Sequence, residues 1–267
     1  MAYVLVEEIE TGIRLVTLSK PERLNAIDFD GVRELHGALA EIAADTDCRV
    51  VILKGSGRGF CAGLDLKALA GFAADPAERV GSGLRAQELI ADLVPRMRAL
   101  PQPIIAAING PAAGGGLAFA LGCDVRIAAQ SATFAVSFIK IGLSGCDVGT
   151  SYLLPRLVGA AHAFELMLTG RTFDAAEAER IGLVLRVVPD EELMGTVLET
   201  ARLIRANSPF GVWMTKEVMW ANLETPSLAA AIDRENRTQI LAQHSGDMAE
   251  AIAAFLERRP ADFSRKK

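Results

Sequence analysis

The 267 residues are 51% hydrophobic and 23% charged, which excludes a disordered or low-complexity chain and suits one large domain or two small ones. A formal net charge of -5 argues against a protein that grips nucleic acid or an anionic membrane. Three histidines (His36, His162, His244) and 6% aromatic residues leave little from which to build a histidine metal cage or a base-stacking platform.

The chain opens without a basic leader followed by an apolar core, so no secretory signal peptide is expected. Residues 13–18 (IRLVTL) and 50–53 (VVIL) are β-branched runs of strand length, and Val32, Leu35, Leu39 and Ile42 between them recur at helical spacing. A loop of Gly, Ser and Arg at 55–59 leads to FCAGLDLKAL (60–69), where a helix is expected to start after Gly63 with Asp65 in its first turn. Residues 71–83, rich in Gly, Ala and Asp, read as a mobile loop. Leu89, Ile90, Leu93, Met97 and Leu100 predict one helix over 84–100.

A strand at 104–108 (IIAAI) ends at Asn109-Gly110-Pro111, and Gly114, Gly115 and Gly116 then precede an apolar helical stretch. This most apolar region, 103–129, is interrupted by Asn109, Pro111 and the glycines and closed by Asp124 and Arg126, so it cannot span a membrane, which takes roughly 20 uninterrupted apolar residues. Asp124, between an apolar helix and a strand, reads as a structural hydrogen-bonding residue. Asp174 and Glu177 predict a capped helix that Gly182 closes, followed by a strand at 184–188.

From about residue 190 the strand signal stops. Leu193, Val197, Leu198, Ala201 and Ile204 mark one helix, and 210–222, 227–243 and 247–257 read as three more, separated by Pro209, Pro226 and Gly246. The expectation is therefore an α/β core over 1–195 and a helical C-terminal region over 196–267. Trp213, Met214, Met219 and Trp220 suit either subunit contacts or core packing. Cys48, Cys61, Cys123 and Cys146 are scattered without a CxxC pair, which fits reduced thiols in a cytoplasmic protein and no metal site.

Two segments carry chemistry. Each glycine-bearing segment, 60–69 and 108–121, places unpaired backbone N–H groups near a helix start, where up to four donors are free and partial positive charge accumulates. Two such turns aimed at one spot would stabilise negative charge on a carbonyl oxygen without a charged side chain. The glycine triplet taken alone favours a tight helix–strand contact. Neither segment matches GxGxxG or GxxxxGK[ST], so nucleotide binding has little support.

The segments FCAGLDL (60–66) and NGPAAGGGLAFALGCD (109–124), preceded by KPERLNAI (20–27) and followed by LTGRTFDAAEAERIGLV (168–184) and AFLERRPADF (254–263), resemble the crotonase superfamily, the enoyl-CoA hydratase/isomerase family. The resemblance spans residues 4–265. It implies a spiral of ββα turns, a helical C-terminal part that assembles a homotrimer or hexamer, and an acyl-CoA thioester as substrate, with no cofactor because CoA belongs to the substrate. By motif position, the Leu64 and Gly115 N–H groups would form the oxyanion hole. The CoA-binding strip would fall on Arg23, Leu24, Ala26, Ala62, Gly63, Leu64 and Asp65.

The chain departs from the pattern at the acid and base. Ala118 and Phe138 stand where the family's hydratases carry two glutamates, and neither can transfer a proton; Phe138 would instead line the substrate pocket. Asp147, in DVGT and just before TSY, matches places where other branches carry a catalytic aspartate: dienoyl-CoA isomerases and chlorobenzoyl-CoA dehalogenases. It reads either as the proton-transferring group or as a cap of the helix that follows. Three functions stay open: isomerisation or hydration of an enoyl- or dienoyl-CoA through Asp147, binding of acyl-CoA without chemistry, and nucleophilic dehalogenation or thioester hydrolysis by Asp147, for which Phe60, Phe119, Phe134 and Phe138 could line an aromatic pocket. Cys61 and Cys146 flank the site without a histidine to activate them.

Overall fold

The computed structural model describes residues 2–67 and 79–263. Six strands form the main sheet in the order β1-β2-β3-β4-β6-β9: β1 (Val4–Glu10), β2 (Ile13–Leu18), β3 (Val50–Gly55), β4 (Ile104–Ile108), β6 (Val125–Ala129) and β9 (Arg186–Val188). β1 and β2 are an antiparallel hairpin, and every later pairing in this sheet is parallel. A second sheet joins β5 (Ala112–Ala113), β7 (Thr133–Ala135) and β8 (Thr172–Asp174).

The parallel strands read as continuous apolar runs because both faces are covered. Val51 and Leu53 on β3 and Ile104, Ala106 and Ile108 on β4 face one core. That core is filled from α1 (Phe29–Ala44), α3 (Leu93–Ala99), α4 (Gly115–Gly122) and α5 (Thr150–Thr169). Val50, Ile52, Ile105 and Ala107 face the other way, onto Leu193, Val197 and Ala201 of α7 (Leu193–Arg205). The alternation is the two-residue period of a strand. Helix α4 is apolar on every side, and all eight of its residues are buried.

The expected elements are mostly in place, with three corrections. The single helix over 84–100 is two: α2 (Arg79–Ala91) and α3. Pro95 lacks the N–H that would bond back to Ala91, so the ladder breaks at Asp92. Of the loop expected at 71–83, residues 79–83 begin α2, and the remainder lies outside the described residues. The last strand starts at Arg186 rather than at 184, because the Leu183 and Val184 N–H groups turn back to the Ala178 carbonyl and close α6 (Ala175–Arg180). Asp174 caps that helix as expected, accepting from the Glu177 N–H at 2.8 Å.

The C-terminal helices are α8 (Pro209–Asn222), α9 (Leu228–Gln243) and α10 (Asp247–Glu257). α8 is fastened to the core by polar contacts. Lys216 Nζ donates to the Met97 and Gln102 carbonyls at 3.0 and 2.9 Å and pairs with Asp124 at 3.0 Å. Trp220 Nε1 donates to the other Asp124 oxygen at 2.9 Å, and the Arg98 guanidinium lies 4.0 Å from the Trp220 ring centroid. Asp124 also accepts from the Ile104 N–H, which bears out its reading as a structural residue. In contrast, α9 buries no residue at all. Among the described residues no helix is long and apolar enough to cross a membrane.

Candidate active site

The two halves of the expected CoA strip lie about forty residues apart in sequence, and the fold stitches them into one surface. Ile27 N–H donates to the Gly63 carbonyl at 2.8 Å and Asp65 N–H to the Ile27 carbonyl at 2.8 Å, a short parallel bridge. Ala62 N–H donates to the Leu24 carbonyl at 2.9 Å, and Arg23 forms an ion pair with Asp65. Arg23, Leu24 and Ala26 thus sit against Ala62, Gly63, Leu64 and Asp65. Burial raises the proton affinity of Asp65, but the Lys67 N–H and the Arg23 guanidinium outweigh it and hold the carboxyl below its usual range.

Asn25 is the pin that holds this loop, and motif reading alone did not single it out. It is fully buried. Its Nδ2 donates to the Ser56 and Gly59 carbonyls at 2.9 and 2.8 Å, and its Oδ1 accepts from the Lys20 N–H at 2.9 Å. Its carbonyl accepts from the Tyr3 hydroxyl and from Cys61 Sγ. Leu24 and Asn25 both have positive φ, 50° and 58°. Asn tolerates this region better than most residues, which is the one local signal in the sequence.

The bridge geometry leaves the Leu64 N–H pointing away from residue 27, and it donates to no acceptor among the described residues. The Gly115 N–H, at the first position of α4, is likewise free, because a helix offers no carbonyl to its first-turn donors. The two turns touch. A Cβ on Gly63, whose φ is +93°, would meet the Ala113 carbonyl oxygen at 2.8 Å and the Gly115 nitrogen at 3.1 Å. The glycine triplet divides its labour. Gly116 serves close packing, since a Cβ there would lie 2.0 Å from the Cys61 carbonyl oxygen, whereas Gly115 has ordinary room on the side facing Leu64. The close-contact reading of the triplet therefore holds at Gly116.

Ala118 is fully buried inside α4, and Phe138 is buried in the short 3-10 helix Ser137–Ile141. The Phe138 ring lies beside Gly114, 3.6 Å from where a Cβ would be. Asp147 precedes α5, which packs on α4. It is not the helix cap: Gly149 occupies that position, with φ 77°. The half-buried carboxylate accepts instead from the Val148 N–H at 2.8 Å and from the Gln87 side-chain amide of α2. Burial raises its proton affinity above the ordinary carboxylate value, against the pull of those two donors.

The other candidates are placed elsewhere. Cys61 is fully buried and its thiol is pushed up to about 11 by burial, so it is no nucleophile at neutral pH. Phe60, Phe119 and Phe134 are core residues, Phe134 stacking on Phe173 at 5.5 Å.

A largely parallel six-stranded sheet, a small second sheet and the helices packed on them are the fold of crotonase-family enzymes. The family described as enoyl-CoA hydratase/isomerase matches residues 8–266, and the chain belongs to that family of acyl-CoA enzymes. It is 43% identical over 267 residues to a probable enoyl-CoA hydratase of Mycobacterium bovis, covering 99% of this chain and 93% of that one. It is 37% identical over 262 residues to the 1,2-epoxyphenylacetyl-CoA isomerase of Escherichia coli, covering 98% of each. Among solved structures, the enoyl-CoA hydratase of Bacillus anthracis superposes with a TM-score of 0.92 at 33% identity and 98% coverage of both chains. A monofunctional enoyl-CoA isomerase of Mycobacterium smegmatis superposes with 0.74 at 42% identity, covering 87% of this chain and 99% of that one.

Proposed function

We propose that this enzyme isomerises, or less readily hydrates, an enoyl- or dienoyl-CoA, using a backbone oxyanion hole and a single carboxylate. The observation that carries the reading is Asp147, a half-buried carboxylate with raised proton affinity in a chain whose two usual glutamate places hold Ala118 and Phe138. The thioester oxygen accepts from the Leu64 and Gly115 N–H groups. Asp147 takes a proton from carbon, the C–H electron pair moves into the enolate, and the negative charge rests on the thioester oxygen. The proton then returns from Asp147 at the other end of the conjugated system.

One group that takes and returns the same proton suffices for isomerisation, whereas hydration needs a second group for the water. Relatives named as isomerases favour the same side. The exposed strip residue Arg23 meets the nucleotide end of CoA, and Phe138 lines the acyl pocket. CoA arrives as part of the substrate, and no further cofactor is proposed. The exposed apolar residues Leu228, Ile232, Ile240, Leu241, Phe255 and Leu256 of α9 and α10 support a homotrimer or hexamer built through the region 196–267. A cytoplasmic location completes the proposal.

The test is solvent deuterium exchange at the α- and γ-carbons with a panel of enoyl-, dienoyl- and aromatic acyl-CoA substrates, on the wild type and Asp147→Asn. The variant should bind acyl-CoA yet turn over at least ~10²-fold more slowly. Equal turnover would overturn the role of Asp147. Absence of exchange with every substrate in both proteins would leave binding without chemistry.

A further inference from the structure

A carboxylate has two oxygens, and proton transfer is efficient only if the correct one faces the substrate. Both hydrogen bonds to the Asp147 carboxylate fall on the same atom. The Val148 N–H donates to Oδ1 at 2.8 Å, and Gln87 Nε2 donates to that same Oδ1. Oδ2 accepts none among the described residues. The two donors come from different sources. Val148 adjoins Asp147 and is itself held at φ 45°, an uncommon and costly conformation for a β-branched residue. Gln87 comes from α2, 60 positions away in sequence.

We propose that Gln87 is a positioning residue of this enzyme: with the Val148 N–H it occupies Oδ1 of Asp147 and reserves Oδ2 to take and return the substrate proton. The inference rests on the reading of Asp147 as the proton carrier. A primary amide suits the task. It donates a directional hydrogen bond but does not titrate, so it cannot divert the proton. A charged donor would bind the carboxylate more strongly and draw its proton affinity down. Among the described residues no charged side chain contributes to the proton affinity of Asp147, which burial raises and the Val148 N–H and the Gln87 amide lower. Burial raises it, and the two donors partly offset that rise. Removing Gln87 therefore moves Asp147 further up, and the pH at which the base becomes ionised follows.

The experiment compares the wild type, Gln87→Met, Gln87→Lys and Asp147→Asn as full-length proteins over a pH series, with the best acyl-CoA substrate of the exchange panel. Gln87 is exposed, so neither replacement disturbs the core. Gln87→Met keeps the length and removes the donor. It should lower kcat by roughly ten- to a hundredfold, the order expected of a small misplacement of a catalytic group. KM should stay within about twofold of wild type, and the acid limb of kcat/KM should move to higher pH. Gln87→Lys restores a donor and should recover part of kcat, with its acid limb below that of Gln87→Met. A merely structural residue would move none of these limbs. If Asp147→Asn abolishes exchange while Gln87→Met keeps the wild-type kcat and acid limb, Gln87 is a surface residue and the proposal is wrong. If Asp147→Asn turns over like wild type, the reading of Asp147 fails and takes this inference with it.

Discussion

A Cβ built on Gly115 would lie 3.9 Å from the Leu64 nitrogen, so two residues 51 positions apart in the chain present their free N–H groups from adjoining turns. Neither donor is used within the described chain. Buried backbone donors are almost always paired, and such a pair calls for an acceptor from outside.

Replacing Gly115 by Pro removes one donor at the first position of α4, where a proline is sterically suited to a helix. Turnover should fall by about 10²–10³ while the circular dichroism spectrum stays unchanged. Acyl-CoA should still bind more tightly than the free acid, and calorimetry that finds thioester and acid equal in the wild type would remove the oxyanion hole.

Asn25→Ala should leave the Lys20 N–H and the Ser56 carbonyl without their side-chain partner and put Ala in a left-handed conformation. The cost in stability is about 2–3 kcal/mol, read from urea unfolding. Because the loop it pins carries Arg23 and Leu24, KM for acyl-CoA should rise more than kcat falls. A change confined to kcat would show that the pin serves the chemistry and not the strip.

Asp147→Asn should stabilise the fold at neutral pH. The folded state holds the Asp147 proton more tightly than the unfolded chain does. Stability is therefore lost as pH rises from the ordinary carboxylate value through the raised folded value, and stays lost above it. The asparagine variant escapes this loss. Its advantage should be present at pH 7 and vanish in acid below the ordinary carboxylate value; an equal advantage at both would assign it to packing.

Lys216→Met should cost about 3 kcal/mol, the usual penalty for breaking a buried pair from one side. The Lys216 side chain is 4% exposed, its ammonium satisfies Asp124 and two carbonyls at once, and methionine fills the space without a donor. Thermal unfolding should shift down by several degrees, with kcat/KM at lower temperature unaffected.

Light scattering at micromolar protein should find a trimer or a multiple of it. Phe255 and Leu256 are 82% and 74% exposed in the single chain, more apolar surface than an isolated helix pair keeps in water. A monodisperse monomer would contradict this.

Much of the fold was legible because its periods are local. The alternation of Val50 to Leu53 and the helical spacing of Val32, Leu35, Leu39 and Ile42 are written in a few consecutive residues. The glycine turns were legible because Gly and Pro mark a turn within a few consecutive residues. The short strands Ala112–Ala113, Thr133–Ala135 and Thr172–Asp174 were not, since two or three residues carry no period. Gln87 and Asn25 were also missed, for another reason. Each has a partner 31 or more positions away, and nothing in an exposed helical glutamine announces a carboxylate across the fold.

The seating of α8 has a spectroscopic side. The chain has two tryptophans, and they occupy unlike surroundings. Trp213 is 38% exposed, edge-on to Phe210 within its own helix. Trp220 instead is clamped between the Arg98 cation and the Asp124 carboxylate, whose charges lie against the ring and its N–H. An indole excited state is sensitive to charges held so close, so the emission of a Trp213→Phe protein reports directly whether α8 rests on the core. Such a chain carries its own fluorescent gauge of helix docking, readable during refolding or assembly without an added dye.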